Sequence, residues 1–148
     1  MNREAKCSCG QVTLRVVGDP RVVVACSCLK CQRHTGSVFG VSSYFEDAQL
    51  VEIIGDRKAF EPFTESGRPS KRYFCPHCGT AVYWKGGFLP NHTGIPVGAF
   101  ADPDFPDPMA SVWNKSKHGW VTFSEHWINT DTQDIDPALL RSLLPDSE

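Results

Sequence analysis

Seven cysteines in three tight clusters constrain this chain more than any other feature. The clusters are Cys7-Ser-Cys9-Gly10, Cys26-Ser-Cys28-Leu-Lys-Cys31 and Cys75-Pro-His-Cys78-Gly79. An odd number of cysteines cannot all pair within one chain, and 148 residues can bury a core without disulfides. Cysteines this close together are typical of metal sites in proteins whose thiols stay reduced. We therefore predict metal sites and not a disulfide framework.

The first and third clusters together offer four thiolates to one metal ion. Glycine follows the second cysteine of each pair, at Gly10 and Gly79, and permits the positive φ that turns backbone N–H groups towards sulfur. Structural zinc is bound tetrahedrally, commonly by four cysteines. The alternative is that His77 replaces one cysteine, although we expect the residue between two such cysteines to point outward. The predicted ligands of a structural zinc ion are Cys7, Cys9, Cys75 and Cys78.

The second cluster has only three thiols, which leaves a metal ion with one open coordination position. Three protein ligands and an open position form the pattern of catalytic zinc. We predict that Cys26, Cys28 and Cys31 hold a second zinc ion. Two alternatives stay open: a histidine or carboxylate closes the site, with His34 nearest along the chain, or the three cysteines are buried thiols without metal.

The remaining sequence predicts a mostly β protein. Val12–Val16 alternates apolar and polar residues, as a half-buried strand does, and Val22–Ala25 is a β-branched run that suits a more buried strand. Residues 101–108 contain three prolines in six positions and are predicted to be irregular. Further strands are predicted at residues 38–44, 50–54, 59–64, 72–74, 81–84, 95–100 and 109–113.

Helix is predicted in two places. Cys28 to His34 is expected to form a turn or two, and Pro137–Leu144 is expected to form a short C-terminal helix. Asp136 can cap that helix, with Pro137 in its first position. We expect a single domain over residues 1–148, with a common core at about 4–130 and the terminal helix at 137–144.

Composition narrows the classes of partner. The net charge is −2 and no run of basic residues reaches five, which argues against a nucleic-acid partner. No stretch approaches eighteen consecutive apolar residues, and the first residues lack the apolar segment of a signal peptide. We therefore expect a soluble, cytoplasmic protein with no membrane contact.

The three clusters, in this order, resemble the glutathione-dependent formaldehyde-activating enzyme family, whose domain is shared with a centromere-associated protein group. The resemblance rests on Cys-x-Cys-Gly-x-Val at residues 7–12, Cys-x-Cys-x-x-Cys at 26–31 and Phe-Cys-Pro-x-Cys-Gly at 74–79. It extends through Pro-Val-Gly at 96–98 and Asp-Pro-Asp-Phe at 102–105, and so covers nearly the whole chain. The chain departs from the family at residues 125–131, where many relatives carry a proline-containing segment. That departure bears on substrate contacts and not on the zinc sites.

The resemblance implies a zinc-bearing β-tent built of several small antiparallel sheets. It implies the same division of cysteines, with four holding a structural zinc and three holding a catalytic zinc. It also implies a carbon–sulfur lyase that forms S-hydroxymethylglutathione from glutathione and formaldehyde, or acts on a related thiol–aldehyde adduct. The implied partners are a small thiol, which is glutathione in the family's reaction, and a small aldehyde.

Several residues near the second cluster are candidates for this chemistry. A thiol has a pKa of about 8.5 and must lose its proton to become a strong nucleophile. Coordination of the thiol to a metal ion at an open position promotes that loss. His34 is the candidate proton donor to the alkoxide that follows attack on an aldehyde, or else a surface histidine. Lys30, Arg33 and Lys117 either pair with carboxylates of the thiol or belong to a solvated face. The aromatic residues that either line a pocket or pack elsewhere are Trp113, Trp120, Phe123 and Trp127.

Two other functions stay open. One is a carrier that binds glutathione or a thiol adduct without turnover, and the other is a zinc interaction module in which both metals are structural. A redox function for Cys75 and Cys78 requires a thioredoxin-like βαβ arrangement, which the predicted strands do not provide.

Overall fold

A computed structural model of the chain describes residues 1–62, 69–86, 89–133 and 135. These residues are mostly β-structure, as predicted, and form two sheets. The strands are β1 Asn2–Lys6, β2 Thr13–Val17, β3 Val22–Cys26, β4 Gly40–Glu46, β5 Leu50–Ile54, β6 Lys58–Phe60, β7 Ser70–Phe74, β8 Ala81–Gly86, β9 His92–Pro96, β10 Ala110–Val112 and β11 Ile128–Asn129. The helices are α1 Leu29–Thr35 and the 3₁₀ turns Asp47–Gln49, Val97–Phe100 and Asn114–Ser116.

The chain folds into two compact units. Unit 1 contains Met1–Pro20 and Ser43–Phe105, and unit 2 contains Arg21–Ser42 and the described residues from Pro106 onward. These units are defined by contacts within the folded chain, which do not test whether each unit folds by itself. The single domain over residues 1–148 therefore stays a prediction. Within the described residues, no helix is long and apolar enough to cross a membrane.

Unit 1 contains a three-stranded antiparallel sheet in the order β1-β2-β5. Ala5 pairs with Leu14 in the β1–β2 register, and both side chains are fully buried. Val12, Leu14 and Val16 alternate with more exposed residues, so the predicted half-buried strand is confirmed. Burying one face of this sheet fixes the positions at which β1 ends and the first cysteine cluster begins.

Unit 1 also contains most of the second sheet, with strands in the order β4-β9-β8-β7-β6. The β6–β7, β7–β8 and β8–β9 pairs are antiparallel. Phe45 of β4, Val82 of β8 and Ile95 of β9 are fully buried and belong to the core of unit 1. Cys75 follows directly after β7, so this sheet carries the third cysteine cluster.

Unit 2 contains strands in the order β11-β10-β3, together with the first residues of β4. Both β10–β11 and β10–β3 are parallel, which corrects the expectation of purely antiparallel sheets. The alternation of apolar and polar residues within a strand carries no information about the direction of its partner. Parallel neighbours also require long connections along the chain. Val22–Ala25 is buried throughout, as predicted and as parallel strands usually are.

Other local expectations meet the structure with mixed results. The turns predicted at Cys28 to His34 form α1, which lies in the N-terminal part of the chain. The predicted strand at 95–100 is wrong beyond Pro96, where Val97–Phe100 forms a 3₁₀ turn that ends at Ala101 with φ 48°. Residues 101–108 are irregular, as expected. The predicted helix at 137–144 lies outside the described residues.

Candidate metal centres

The first cysteine pair lies on a tight turn between β1 and β2. Cys7 N–H donates to the Val12 carbonyl at 3.0 Å, and Gly10 N–H donates to the Cys7 carbonyl at 3.0 Å. Gly10 has φ 81°, the left-handed conformation predicted for it. As a result, the Val12 N–H donates to Cys7 Sγ at 3.2 Å, which stabilises negative charge on that sulfur.

The cysteines of the third cluster, Cys75 and Cys78, lie on a corresponding turn between β7 and β8. Cys75 N–H donates to the Thr80 carbonyl at 2.9 Å, and Gly79 N–H donates to the Cys75 carbonyl at 2.8 Å. Gly79 has φ 76°, as predicted. The turn contains one more residue between its cysteines than the first turn, and both present two sulfurs on one side.

The two turns bring four sulfurs together within unit 1. All four Sγ atoms lie within 4.8 Å of one another, with Cys7 and Cys9 at 3.6 Å and Cys9 and Cys75 at 3.7 Å. Zinc bound tetrahedrally through bonds of about 2.3 Å requires sulfurs about 3.8 Å apart. The set therefore fits a zinc ion. His77 is exposed and is not a member of the group.

Thr80 supports this centre and was not among the predicted site residues. Its hydroxyl lies 3.2 Å from Cys78 Sγ and 2.8 Å from Ser8 Oγ, and it accepts a hydrogen bond from the Ser8 N–H at 3.2 Å. It thus connects the two turns directly. Hydrogen bonds from Thr80 lower the pKa of Cys78 to about 5. The available signal was a hydroxyl residue directly after Cys-x-x-Cys-Gly, with Ser8 between the other two cysteines.

The second cluster converges within unit 2. Cys26 ends β3, Cys28 is the N-cap of α1, and Cys31 lies in its first turn. Their Sγ atoms lie within 4.8 Å of one another, and each residue is partly exposed. In the part of the chain that the structure describes, no histidine or carboxylate joins them at this separation. Three sulfurs in this arrangement can hold zinc and leave one position free.

The hydrogen bonds of this cluster favour a thiolate at Cys28. Contacts with the Cys26 and Cys31 thiols, together with N–H groups of Cys31 and Lys30, lower the pKa of Cys28 to about 2. The Cys31 N–H donates to Cys28 Sγ at 3.3 Å. Hydrogen bonding to Cys28 and Cys31, with burial, raises the pKa of Cys26 above its usual range. A bound metal ion therefore has to displace the proton of Cys26, which makes affinity depend on pH.

Gln32 connects the three-cysteine cluster to the segment after β10. Its Nε2 donates to the Ser27 carbonyl at 2.9 Å and to the Ser116 carbonyl at 3.1 Å. Its Oε1 lies 3.1 Å from His118 Nε2. Gln32 was not among the predicted site residues, and its only signal was its position directly after Cys31.

The other predicted site residues do not belong to the three-sulfur group. Lys30, Arg33 and His34 are exposed on α1, and His34 is not within the three-sulfur group. The function of His34 stays a prediction. Trp120 is 74% exposed, whereas Phe123 packs edge-on against Phe39 with ring centroids 5.0 Å apart.

A groove of about 270 Å³ lies in unit 2 beside the segment that Gln32 contacts. Phe123, which also stacks on Trp127 with ring centroids 5.6 Å apart, forms part of its wall. The lining residues are Asn114, Lys117, Gly119, Val121, Thr122, Phe123 and Asn129. Two of the predicted site residues, Lys117 and Phe123, therefore border this groove.

Comparisons with known proteins give one family match and one similar solved structure. Residues 2–116 match the family model described as glutathione-dependent formaldehyde-activating enzyme. The crystal structure of a Rhodobacter sphaeroides protein has a similar fold, with a TM-score of 0.50 and 20% identity over 70% of this chain and 92% of that chain. No curated protein gives a significant match. Because the matched region contains all seven cysteines and both centres, the chain belongs to the glutathione-dependent formaldehyde-activating enzyme family.

Proposed function

We propose that this protein catalyses the addition of the glutathione thiol to formaldehyde or a related small aldehyde, a carbon–sulfur lyase reaction in the direction of synthesis. One observation carries the proposal: three sulfurs converge in unit 2 with no fourth protein ligand among the described residues. The four sulfurs of unit 1, by contrast, complete a tetrahedral set, as a structural site requires. Family membership supports this reaction class.

The three cysteines of unit 2 would hold a zinc ion and would leave it one ligand short of the usual four. Cys26 is anchored by β3, while Cys28 and Cys31 are held by the first turn of α1. Zinc held by these residues would supply positive charge that lowers the pKa of an incoming thiol from about 8.5. The partial exposure of the three cysteines leaves a path for a small thiol to arrive from solvent.

The reaction balances without an oxidant or reductant. The sulfur of glutathione forms a bond to the carbonyl carbon, and the electron pair of the C=O π bond moves to oxygen. The proton lost by the thiol is returned to that oxygen, which gives the S-hydroxymethyl product. We propose His34, three residues after Cys31 along α1, as the group that delivers this proton.

The test measures chemical exchange between free and adduct glutathione by NMR, because uncatalysed addition is already easy. For Cys28→Ser, we expect the exchange rate to fall to the uncatalysed value, since one metal ligand is lost. The variant should retain about one zinc per chain at the four-cysteine centre, and this serves as its folding control. The same assay on His34→Gln, with His126→Gln as a control on another exposed histidine, tests the proton donor.

Two outcomes would contradict the enzyme hypothesis. If wild-type protein binds glutathione but leaves the exchange rate at the uncatalysed value, the protein is a carrier. If it binds two zinc ions and neither glutathione nor its adduct, both metals are structural and an interaction module becomes the better interpretation.

We also propose that the protein works in the cytoplasm. None of the seven cysteines, all of which the structure describes, forms a disulfide, and both centres need reduced thiols to bind metal. A reducing compartment maintains this condition. Fractionation with antibody detection tests the location, and recovery outside the cytoplasm would contradict it.

A further inference from the structure

We propose that the three-cysteine cluster of unit 2 is also a binding site for trivalent arsenic, which it takes up from solution as arsenous acid. Cys26, Cys28 and Cys31 bring three Sγ atoms within 4.8 Å of one another, and each residue is partly exposed. The ligand set is sulfur alone, because no histidine or carboxylate of the described residues lies within this separation. The proposal goes beyond the proposed function, since it needs the three thiols and not the reaction.

The number of sulfurs distinguishes arsenic from zinc at this cluster. Zinc bound by three protein ligands needs a fourth ligand from solvent or substrate to reach its tetrahedral number. Arsenic(III) forms three bonds to sulfur in a pyramid, and its lone pair occupies the fourth direction. Thiolate is also the soft ligand that a thiophilic ion prefers over nitrogen or oxygen. Three thiolates therefore complete the coordination of arsenic(III) but leave zinc one protein ligand short.

The backbone holds the three thiols in place before an ion binds. Cys26 pairs with Val112 across β3 and β10, and the Ser27 N–H donates to the Val112 carbonyl at 3.1 Å. Cys28 caps α1, where its Sγ accepts a hydrogen bond from the Cys31 N–H at 3.3 Å. Gathering three thiols of a flexible chain costs conformational entropy, and this arrangement reduces that cost. Arsenic–sulfur bonds are about as long as zinc–sulfur bonds, about 2.3 Å, so the sulfurs need move little.

The four-cysteine centre of unit 1 is less suited to arsenic. Cys7 and Cys75 are buried, with 4% and 0% of their surface exposed, whereas every cysteine of the unit 2 cluster is partly exposed. Four sulfurs match the tetrahedral number of zinc, and an arsenic(III) ion there would leave one thiol unbound. The first equivalent of arsenic should therefore enter the cluster of unit 2.

The binding step balances without an oxidant or reductant. One arsenous acid and three cysteine thiols give one arsenic bound to three sulfurs, together with three water molecules. Each As–O bond is replaced by an As–S bond, and each thiol proton leaves with a departing hydroxide as water. Where zinc occupies the cluster, the thiolates have already lost their protons, so solvent supplies three protons and Zn²⁺ is released.

The experiment adds one equivalent of sodium arsenite to the zinc-loaded full chain, with equimolar dithiothreitol as a competitor that offers two thiols. Native mass spectrometry counts the bound arsenic and zinc, and a chromogenic indicator measures the zinc released. We expect wild type to bind a single arsenic per chain and to release a single zinc ion. Its circular dichroism spectrum should not change, since the four-cysteine centre keeps its zinc.

Cys28→Ser tests the third sulfur. Serine also caps helix N-termini, so α1 should persist while one thiolate is lost. The variant keeps two thiols, no more than dithiothreitol offers, and we expect it to lose arsenic to the competitor. Phenylarsine oxide, whose arsenic forms only two bonds to sulfur, should bind wild type and Cys28→Ser nearly alike. Arg33→Ala, which changes an exposed residue of the same helix, is the matched control and should bind arsenite as wild type does.

Three results would each overturn the proposal. The first is that wild type retains no arsenic against dithiothreitol. The second is that Cys28→Ser retains as much arsenic as wild type does. The third is that the first equivalent of arsenite releases both zinc ions together.

The same samples separate this proposal from the proposed function. If arsenic binds in a Cys28-dependent way, while exchange of glutathione with formaldehyde stays at the uncatalysed rate in arsenic-free protein, the arsenic site stands and the enzyme hypothesis fails. If exchange is catalysed but wild type retains no arsenic, the enzyme hypothesis stands and the arsenic site fails. Where both hold, bound arsenic should reduce the exchange to the uncatalysed rate, because it occupies the thiolates that would hold zinc.

Discussion

Gly94 in β9 has almost no room for a side chain. It pairs with Trp84 of β8, and a Cβ at this position would lie 2.0 Å from Trp84 Nε1. Separations under 3.0 Å force a shift, and the nearby atoms belong to a rigid indole ring. Glycine is therefore required here by close packing and not by its backbone conformation.

We expect Gly94→Ala to destabilise the protein by about 1–3 kcal/mol, the usual cost of overpacking a core. Urea unfolding followed by circular dichroism measures it. Gly98→Ala is the control, because a Cβ there meets nothing within 4 Å and we expect little change. Equal stability of the two variants would show that Trp84 moves aside without cost.

Among the functional residues, the cysteines could be predicted individually while their neighbours could not. Thiols at these spacings have few purposes other than metal binding, so the residue type itself is the signal. Thr80 and Gln32 are common residue types, and they matter only because the folded chain places them against Cys78 and against the segment after β10. Their hydrogen bonds join residues 72 and 84 positions apart.

At the scale of elements, α1 is a short helix held mainly by its polar contacts. It spans seven residues and buries none of them fully. Gln32 instead fixes it through hydrogen bonds to Ser27, Ser116 and His118. The helix carries Cys31 and is capped by Cys28, so its position determines the geometry of the three-cysteine cluster.

We expect Gln32→Ala to weaken zinc binding at the three-cysteine cluster by about tenfold to a hundredfold, as loss of a supporting contact around a metal site usually does. Titration with a competing chelator measures the affinity of each centre. Arg33→Ala, on the exposed side of the same helix, should leave both affinities unchanged. Equal zinc affinity in Gln32→Ala and wild type would show that the cysteines hold α1 in place by themselves.

Strands and helices could be predicted where the local sequence pattern is compatible with only one type of secondary structure. Val22–Ala25 is a β-branched run and becomes the buried strand β3, and Cys28 to His34 becomes α1. At 95–100 the apolar residues continue past the end of β9, but the backbone turns at Pro96 and no longer pairs. β1 was missed because Asn2–Lys6 is polar apart from Ala5 and is a strand only through its pairing with β2.

At the scale of the whole molecule, the four-cysteine centre joins distant parts of unit 1. Cys7 follows β1 and Cys75 follows β7, so one metal ion would close a loop of about 70 residues. Binding free energies of structural zinc are about 10 kcal/mol, as large as the stability of many whole domains. The three-cysteine cluster joins only β3 and α1, which are neighbours along the chain.

We therefore expect a chelator to remove the two zinc ions in separate steps. The ion at the three-cysteine cluster should leave first, with little change in circular dichroism, because it has fewer protein ligands. Loss of the second ion should coincide with unfolding of unit 1. A chromogenic zinc indicator read together with circular dichroism follows both steps.

Cys75→Ser provides the control for that assignment. It should bind at most one zinc ion and have the unfolded spectrum from the start, since the four-ligand set is incomplete. Release of both ions from wild type without loss of structure would contradict a structural function for the four-cysteine centre.

The sequence by itself determined the two groups of cysteines that could hold metal, the mostly β class and the family, because cysteine spacing and strand alternation are local properties of the chain. The tertiary structure decided which strands pair and in which direction, that the sulfurs of residues 7, 9, 75 and 78 meet within 4.8 Å, and that Lys117 and Asn114 line one groove. These features arise from contacts between residues far apart in sequence. Burial and hydrogen bonding select such contacts collectively, and no short segment encodes them alone.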